Sequence, residues 1–349
     1  MKKITLIILL SVAEHLKDEC EEQKIYVGPR FENDRNHIKV NANVKLSSII
    51  KSVNERGLIA EKIIHYVDSF SLLQFVLEVD VEKQNIVCVI GDTHHGPFAM
   101  TRLIAWLIKN NIDKIALKQT AHHKIIFEDC GFQVTQLPYY AHDVTFIKPE
   151  NNYIERVLFF GNVSHRHYRR MKLIEYLFKM NLPLDIRSGE RKKSFIAHNI
   201  YACSINSPLN NDISFRIYEI MASGGGCITE RLLDCVKKNQ LAKDNINILE
   251  YINKDECYKK CIQVLESREK RNYIANNAYN NLYLAKKQRL VYRAIDNALT
   301  LSRKELIINE VLWENIKLFE LIQDKRAKGQ NIKNSDFLKL PRNWHGLLK

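Results

Sequence analysis

The sequence predicts an α/β chain of two doubly wound, parallel-sheet domains that face a cleft, with a helical extension at the C-terminus. Three observations carry this expectation. Strand-like apolar runs alternate with segments of helical period nearly throughout. The chain has 349 residues, more than one hydrophobic core normally serves. A polar, proline-bearing stretch, Lys148-Pro-Glu-Asn-Asn152, separates two successive sets of such elements. The domains so read are 1–148, 154–302 and an extension, 303–349, that packs back on the first domain or on a membrane surface.

Met1-Lys-Lys followed by the apolar run Ile4 to Ala13 allows two readings: a secretion leader ending in Ser11-Val-Ala13, or a first buried strand. The run is short for a leader, so the strand is expected. Between residues 25 and 60 no element is assigned. Ile86 to Ile90 reads as a strand opening into Gly91-Asp-Thr-His-His-Gly-Pro97, and Ala99 to Lys109 as a helix. Lys114 to Leu117 is a strand, His122 to Cys130 a helix stopped by Gly131, and Phe132 to Leu137 a strand. The second set runs from the strand Val157 to Phe160 through Gly161-Asn-Val-Ser164 into a basic helix ending near Met180. Strands follow at Pro183 to Arg187, Ile200 to Ile205, Cys227 to Thr229 and Asn247 to Tyr251, with helices at 190–197 and Ile213 to Ser223. Residues 253–326 read as almost wholly helical, and the tail from Lys325, with seven Lys/Arg against one Asp, as a partly ordered surface arm.

Composition excludes several classes. Hydrophobic residues at 46% and charged ones at 27% are ordinary for a water-soluble globular chain, and 12 Gly with 7 Pro exclude collagen-like sequence. No apolar run approaches the roughly 20 residues a membrane-spanning helix needs. Lys+Arg number 53 against 40 Asp+Glu, a net charge of +13 that attracts phosphates of nucleotides, nucleic acid or anionic lipid without choosing among them. Eight scattered cysteines, several inside apolar runs, fit free thiols in a reducing compartment, so a cytoplasmic location is expected. Cys257-x3-Cys261 lacks a second ligand pair, and no metal site is expected there.

The segment with the most chemistry is Asn211-Asp-Ile-Ser-Phe-Arg-Ile-Tyr-Glu-Ile-Met-Ala-Ser-Gly-Gly-Gly-Cys-Ile-Thr-Glu230. Arg216 and Glu219 lie three apart on one helical face, ahead of Gly224, Gly225 and Gly226. A carboxylate beside a sheet can accept both hydroxyls of a ribose, and glycines let backbone N–H groups approach a phosphate. An ordinary helix with a surface ion pair and a glycine cap accounts equally well for the spacing. In Ser164-His-Arg-His-Tyr-Arg-Arg170, Arg166 and Arg170 open a helix after a glycine loop, a place that favours anions; a solvated basic face is the alternative. Asp92, His94 and His95 stand where a first-domain strand opens, as a general base and its helpers, a helix cap, or the start of a metal site without further visible ligands. His122-His123 is a second pair at a helix start. Leu306, Ile307, Val311, Leu312, Ile316, Phe319 and Ile322 form a stripe of helical spacing, read as core or, with Trp344 and the basic tail, as a membrane-docking face.

Phe215-Arg-Ile-Tyr-Glu-Ile-Met-Ala-Ser-Gly-Gly225 resembles the signature of GT-B glycosyltransferases, in the branch of the spore-maturation CgeB-like proteins and the group 1 transferases. Phe159-Phe-Gly-Asn-Val-Ser-His-Arg-His-Tyr-Arg169 is similar to the opening strand and glycine loop of their nucleotide-sugar domain. Ile248-Leu-Glu-Tyr251 with Arg268-Glu-Lys-Arg-Asn-Tyr-Ile-Ala275 resembles their C-terminal run, and Pro138-Tyr-Tyr-Ala-His-Asp143 the segment before the interdomain linker. The resemblance covers roughly 85–300, strongest over 157–290. It implies that Glu219 binds the donor ribose, that Gly224 to Gly226 adjoin the diphosphate, and that Arg216 meets donor phosphates while Gly161 and Asn162 line the cleft. Group 1 transferases carry two glutamates eight apart; here Asn211 stands eight before Glu219, with Asp212 beside it.

The function expected from these readings is transfer of a sugar from a nucleotide-sugar donor to a cell-surface polysaccharide or lipid-linked glycan. The resemblance implies retention of configuration and no bound metal or other cofactor, and the basic charge a peripheral contact with anionic lipid at the inner face of the plasma membrane. The rivals are a sugar-nucleotide epimerase of the same architecture, a catalytically inert glycan-binding relative, and a basic nucleic-acid-binding protein. No nucleic-acid-binding motif supports the last.

Overall fold

The first apolar run becomes β1 (Lys2–Ile8), buried along its last five residues. It pairs in parallel with β2 (Lys24–Gly28) on one side; β3 (His37–Lys39), β4 (Asn43–Lys45) and α1 (Leu46–Glu55) follow, and β5 (Leu58–Val67) lies on its other side. The computed structural model describes residues 1–10, 23–81, 85–94, 98–138, 144–164, 167–208, 212–302, 304–306 and 308–348. His95, Arg166, Asn211 and most of Pro138–Asp143 therefore lie outside the described residues.

β6 (Val76–Glu78) pairs with β4 in a small separate sheet. With β7 (Ile86–Ile90), α2 (Ala99–Lys109), β8 (Lys114–Leu117), α3 (Lys124–Asp129) and β9 (Gln133–Gln136), the large sheet has the order β3-β2-β1-β5-β7-β8-β9. All its pairings are parallel. This is the doubly wound order of dinucleotide-binding domains, extended by one strand. β7 and β8 are buried at every residue, as continuous apolar runs in a parallel sheet must be.

The second sheet is built from β10 (Ile154–Phe160), α4 (Tyr168–Lys179), β11 (Leu184–Arg187), α5 (Arg191–Ile200), β12 (Tyr201–Asn206), α6 (Phe215–Ala222), β13 (Cys227–Glu230), α7 (Asp234–Lys237) and β14 (Leu249–Tyr251). Its order, β11-β10-β12-β13-β14, is again all parallel. Phe159 faces a core shared with Leu173 of α4, and with Cys257 and Cys261 of the next helix, α8 (Lys254–Glu266). Phe160, one residue on, faces Ala197 of α5 on the opposite side. α9 (Arg268–Lys287), α10 (Leu290–Thr300), α11 (Glu310–Ala327), α12 (Asn334–Leu338) and a 3₁₀ turn (Arg342–Leu348) complete the chain.

Two compact units result, and neither is one continuous stretch. The first is Met1–Leu137 with Tyr292–Ile322 and Ser335–His345; the second is Pro138–Val291 with Gln323–Asn334 and Gly346–Lys349. The boundary expected near Lys148 is thus displaced, for a physical reason. Backbone at Pro138, Ile147 and Glu150 is stitched into the second unit by Leu241 N–H to Pro138 O (3.0 Å), Ile147 N–H to Ala222 O (2.9 Å) and Arg271 Nη1 to Glu150 O (2.6 Å).

The C-terminal extension also differs from expectation. Residues 301–309 interrupt the helical run where they are described. Ile316, Phe319 and Ile322 are buried in the first unit, and Trp344, fully buried, donates from Nε1 to Asp129 Oδ2 at 2.7 Å and meets Phe319 edge to face. Full burial of each such side chain stabilises by about 1.5–3 kcal/mol. Ile316, Phe319, Ile322 and Trp344 are therefore core and unavailable for docking on a membrane, whereas Val311 is 71% exposed and Ile307 lies outside the described residues. Glu320 accepts from Met100 N–H (2.6 Å) and Thr101 N–H (3.3 Å), satisfying the open first turn of α2 with a negative charge. No helix of the described residues is long and apolar enough to cross a membrane.

Candidate functional site

In the second sheet the chain leaves β10 toward α4 on one face and returns through α5 on the other, so the strand order reverses between β10 and β12. The crevice beyond the carboxyl ends of those two strands is where open parallel sheets bind ligands. Gly161, directly after β10, has φ +152, a conformation L side chains rarely adopt. Arg170 of α4 bridges the two loops that flank the crevice: Nη1 donates to Asn162 O (3.0 Å) and Nη2 to Ser207 O (2.9 Å). Burial lowers its pKa, opposed by the charge of Asp212. Here this guanidinium clasps the two loops through their carbonyls. Asp212 is 8% exposed, and its Oδ1 has no hydrogen-bond partner among the described residues.

α6 begins at the end of this crevice for identifiable reasons. Ser214 caps it by accepting from Arg216 N–H (3.1 Å) while donating to Asn206 Oδ1 (2.8 Å), and Asn206 donates in turn to Thr229 Oγ1 (2.8 Å). One helical turn along, Glu219 is 3% exposed and holds two guanidiniums. Arg191, the first residue of α5, donates from Nε to Oε1 at 2.7 Å, and Arg216 Nε lies 3.4 Å from Oε2. The Arg191 guanidinium stacks 3.7 Å from the Phe215 ring centre; that of Arg216 lies 5.4 Å from the Phe160 ring.

His198 completes the cluster. Its Nδ1 is 2.8 Å from Ser204 Oγ and its Nε2 is 3.4 Å from Arg216 Nη1. Burial, and then the charge of Arg216, hold it well below the usual histidine range. A neutral ring beside a guanidinium accepts at Nε2, so its proton belongs on Nδ1, shared with Ser204. Burial also lowers the pKa of Arg216, partly offset by Glu219. One carboxylate against two guanidiniums leaves a single positive charge in excess, suited to an anion. Arg191 and His198 were not singled out in the sequence. Nothing in their spacing ties them to Glu219; only the placement of α5 beside α6 does.

The three glycines are elsewhere. Gly224, Gly225 and Gly226 precede β13, so they lie at the amino edge of the sheet, about 10 Å of strand away from its carboxyl edge. A Cβ on Gly224 (φ +65) would sit 2.6 Å from Pro149 N; one on Gly225 would strike His198 O, and one on Gly226 would come 3.0 Å from Ala202 O. They permit close backbone packing, and the expected diphosphate contact is corrected on that ground.

In the first unit, Asp92 Oδ1 accepts from His94 N–H at 2.8 Å and lies 3.2 Å from His94 Nδ1. The Asp92 side chain is 15% exposed, that of His94 only 1%. Thr93 Oγ1 is 2.6 Å from His123 Nδ1, and the rings of His122 and His123 are 4.0 Å apart, both buried. Burial and then the neighbouring His94 push His122 down to about 3; His123 is also held well below its usual value, by burial, His122 and His94. The His94 side chain is thus buried beside the His122-His123 pair rather than on an open face, and His122-His123 do not face a crevice. Among the described residues no group of three or more His, Cys, Asp or Glu is arranged to hold a metal ion.

No protein-family model matches the chain, and no curated protein matches it. Solved structures do. Anabaena HepE, solved in complex with UDP and glucose, is 12% identical with a TM-score of 0.55, over 86% of this chain and 100% of HepE. Sucrose-phosphate synthase from Thermosynechococcus elongatus is 9% identical with a TM-score of 0.50, over 85% and 100%. TarM of S. aureus is 11% identical with a TM-score of 0.49 over 72% of this chain, which spans 57% of the length of TarM. At these identities the likeness shows the fold, that of the GT-B glycosyltransferases.

Proposed function

We propose that this chain is a glycosyltransferase whose second unit holds a nucleotide-activated sugar, with a UDP-linked hexose the first candidate. One observation carries the reading. A buried carboxylate, Glu219, fixes two guanidiniums, Arg191 and Arg216, beside the switch point of a doubly wound sheet. The Phe215–Gly225 signature and its CgeB-like resemblance agree with it, as does the fold shared with HepE, which was solved with UDP and glucose.

In this reading Arg216, steadied by His198, neutralises the diphosphate as the glycosidic bond to it lengthens. Glu219 positions the two arginines and accepts the ribose hydroxyls once Arg191 turns toward the diphosphate. Gly161 and Asn162 line the crevice, and the Asp212 carboxylate faces the sugar. Asp92 of the first unit serves an acceptor hydroxyl as base or orienting group. A glycan or lipid-linked acceptor, retention of configuration and independence of metal complete the proposal; the net charge of +13 supports work at an anionic membrane surface.

Calorimetric titration with UDP, UDP-sugars and uridine tests it. Arg216→Ala is expected to weaken UDP and UDP-sugars by about 10- to 100-fold while sparing uridine. UDP-sugars that fail to bind, or that bind the variant equally well, refute it. Incubation with donor alone separates transfer from epimerisation.

A further inference from the structure

On one side α9 buries Ile274, Ala275, Ala278, Leu282 and Ala285. A different side holds Asn276, Tyr279, Tyr283, Lys286 and Lys287, at i, i+3, i+7, i+10 and i+11. These five fall within about 100° of the helix circumference and along about 16 Å of its length. The two tyrosine rings lie 5.8 Å apart and nearly parallel, at 8°. Phe146, from the segment before β10, stands edge-on to both, at 5.9 and 5.6 Å. The three rings brace one another, so Tyr283 is held in place although it is 40% exposed. Lys286 Nζ lies 5.4 Å from the Phe146 ring centre and Lys287 Nζ 4.9 Å from that of Tyr283.

The charge on this side differs from that of other helices. Lysines elsewhere sit beside carboxylates three or four residues away: Lys124 with Glu128, Lys172 with Glu175, Lys317 with Glu314 and Lys328 with Asp324. α9 offers Lys286 and Lys287 no such neighbour, because its one acidic residue is Glu269, in the first turn. The adjoining stretch 144–149 contains Lys148 and no acid. The surface is thus aromatic, amide-bearing and positive. A pyranose suits it: the C–H face packs on a ring, the hydroxyls meet an amide that both donates and accepts, and a carboxylate substituent meets the lysines. Single-stranded nucleic acid also stacks on rings, but it carries a charge on every nucleotide and draws on cations along its whole path. Here the lysines stand together at one end and Asn276 at the other, with the two rings between, which suits a chain whose charges are spaced.

We propose that this side of α9 binds an acidic polysaccharide, a chain of pyranose units of which some carry a carboxylate. It names the acceptor class of the proposed transferase and rests on that reading. Binding is measured without donor, so a failure here and a failure of the donor site are separate results.

Biolayer interferometry of the full chain on hyaluronate, neutral dextran and an oligothymidylate tests it. Hyaluronate is expected to bind at least about tenfold more tightly than either of the others. Lys286→Gln with Lys287→Gln, and separately Tyr283→Ala, should each weaken hyaluronate by at least about tenfold and leave UDP-sugar affinity as it was. If Tyr283→Ala lowers the thermal midpoint, the lysine pair, exposed at the end of the helix, is read alone. Hyaluronate that does not bind, or that binds the variants as tightly as the parent, overturns the proposal; UDP-sugar affinity then decides the donor site by itself. Tighter, lysine-dependent binding of the oligonucleotide also overturns it and assigns the surface to nucleic acid.

Discussion

Replacing Glu219 by glutamine separates the two roles this carboxylate combines. The substitution keeps the shape and one acceptor oxygen but removes the charge that holds Arg191 at 2.7 Å and Arg216 at 3.4 Å. A hydrogen bond to a charged group contributes about 1.5–3 kcal/mol when desolvated. Arg191, 37% exposed, relaxes into water, so its share falls to about 0.5–1 kcal/mol. Arg216, 27% exposed, retains more of the full value. The sum is about 2 kcal/mol, which for a unit of this size lowers the midpoint by about 4–8 °C. Scanning calorimetry reads it. Tryptophan emission does not, because Trp106, Trp313 and Trp344 all belong to the first unit. Donor affinity should fall by about 100-fold, since the ribose acceptor and the fixed guanidiniums are lost together. A lowered midpoint with unchanged UDP-sugar affinity would show that Glu219 only supports the fold, and would refute the reasoning.

Acid should destabilise the first unit. His65 and His122 are lowered to about 4 and about 3 against an ordinary 6.5, so below pH 6.5 the unfolded chain binds protons that the folded one refuses. Their contribution is complete above pH 6.5 and shrinks by about 1.4 kcal/mol per pH unit for each, about 2 kcal/mol apiece by pH 5. Urea unfolding followed by tryptophan emission at pH 7 and pH 5 measures this, and equal stabilities would contradict it. Gly224→Ala should cost about 2–4 kcal/mol, from backbone strain plus the approach to Pro149, whereas Gly57→Ala (φ +72, with open space around it) should cost about 1 kcal/mol. Equal losses in urea unfolding would remove the close-approach argument.

Much of the architecture was legible because buried parallel strands write continuous apolar runs: Ile86 to Ile90 and Lys114 to Leu117 were located to the residue. β5, a central strand, was missed. Glu61 and Lys62 interrupt its pattern, paired with Lys3 and Asp296 at the amino end, and His65 interrupts the buried half. α1 was missed as well, since only Leu46, Ile49 and Val53 mark its inner side. The Arg216–Glu219 pair was visible as an i, i+3 spacing, but Arg191 and His198 meet it only through tertiary packing. The glycine triplet shows how adjacency in sequence misleads. A crossover helix carries the chain from the carboxyl edge of one strand to the amino edge of the next, so glycines just before a strand stand at the far end from any ligand. Likewise, side chains in a loop after a strand can fold under it, as His94 does.

The winding of the chain through its two units has a consequence for synthesis. The first unit is begun by residues that leave the ribosome before the second unit and closed by residues that leave after most of it, since Ile316, Phe319 and Trp344 fill its interior. Until those arrive, a nascent sheet waits with an unsealed apolar flank, a target for chaperones and for misassociation. A premature stop near residue 300 would therefore damage the N-terminal half more than the region it shortens.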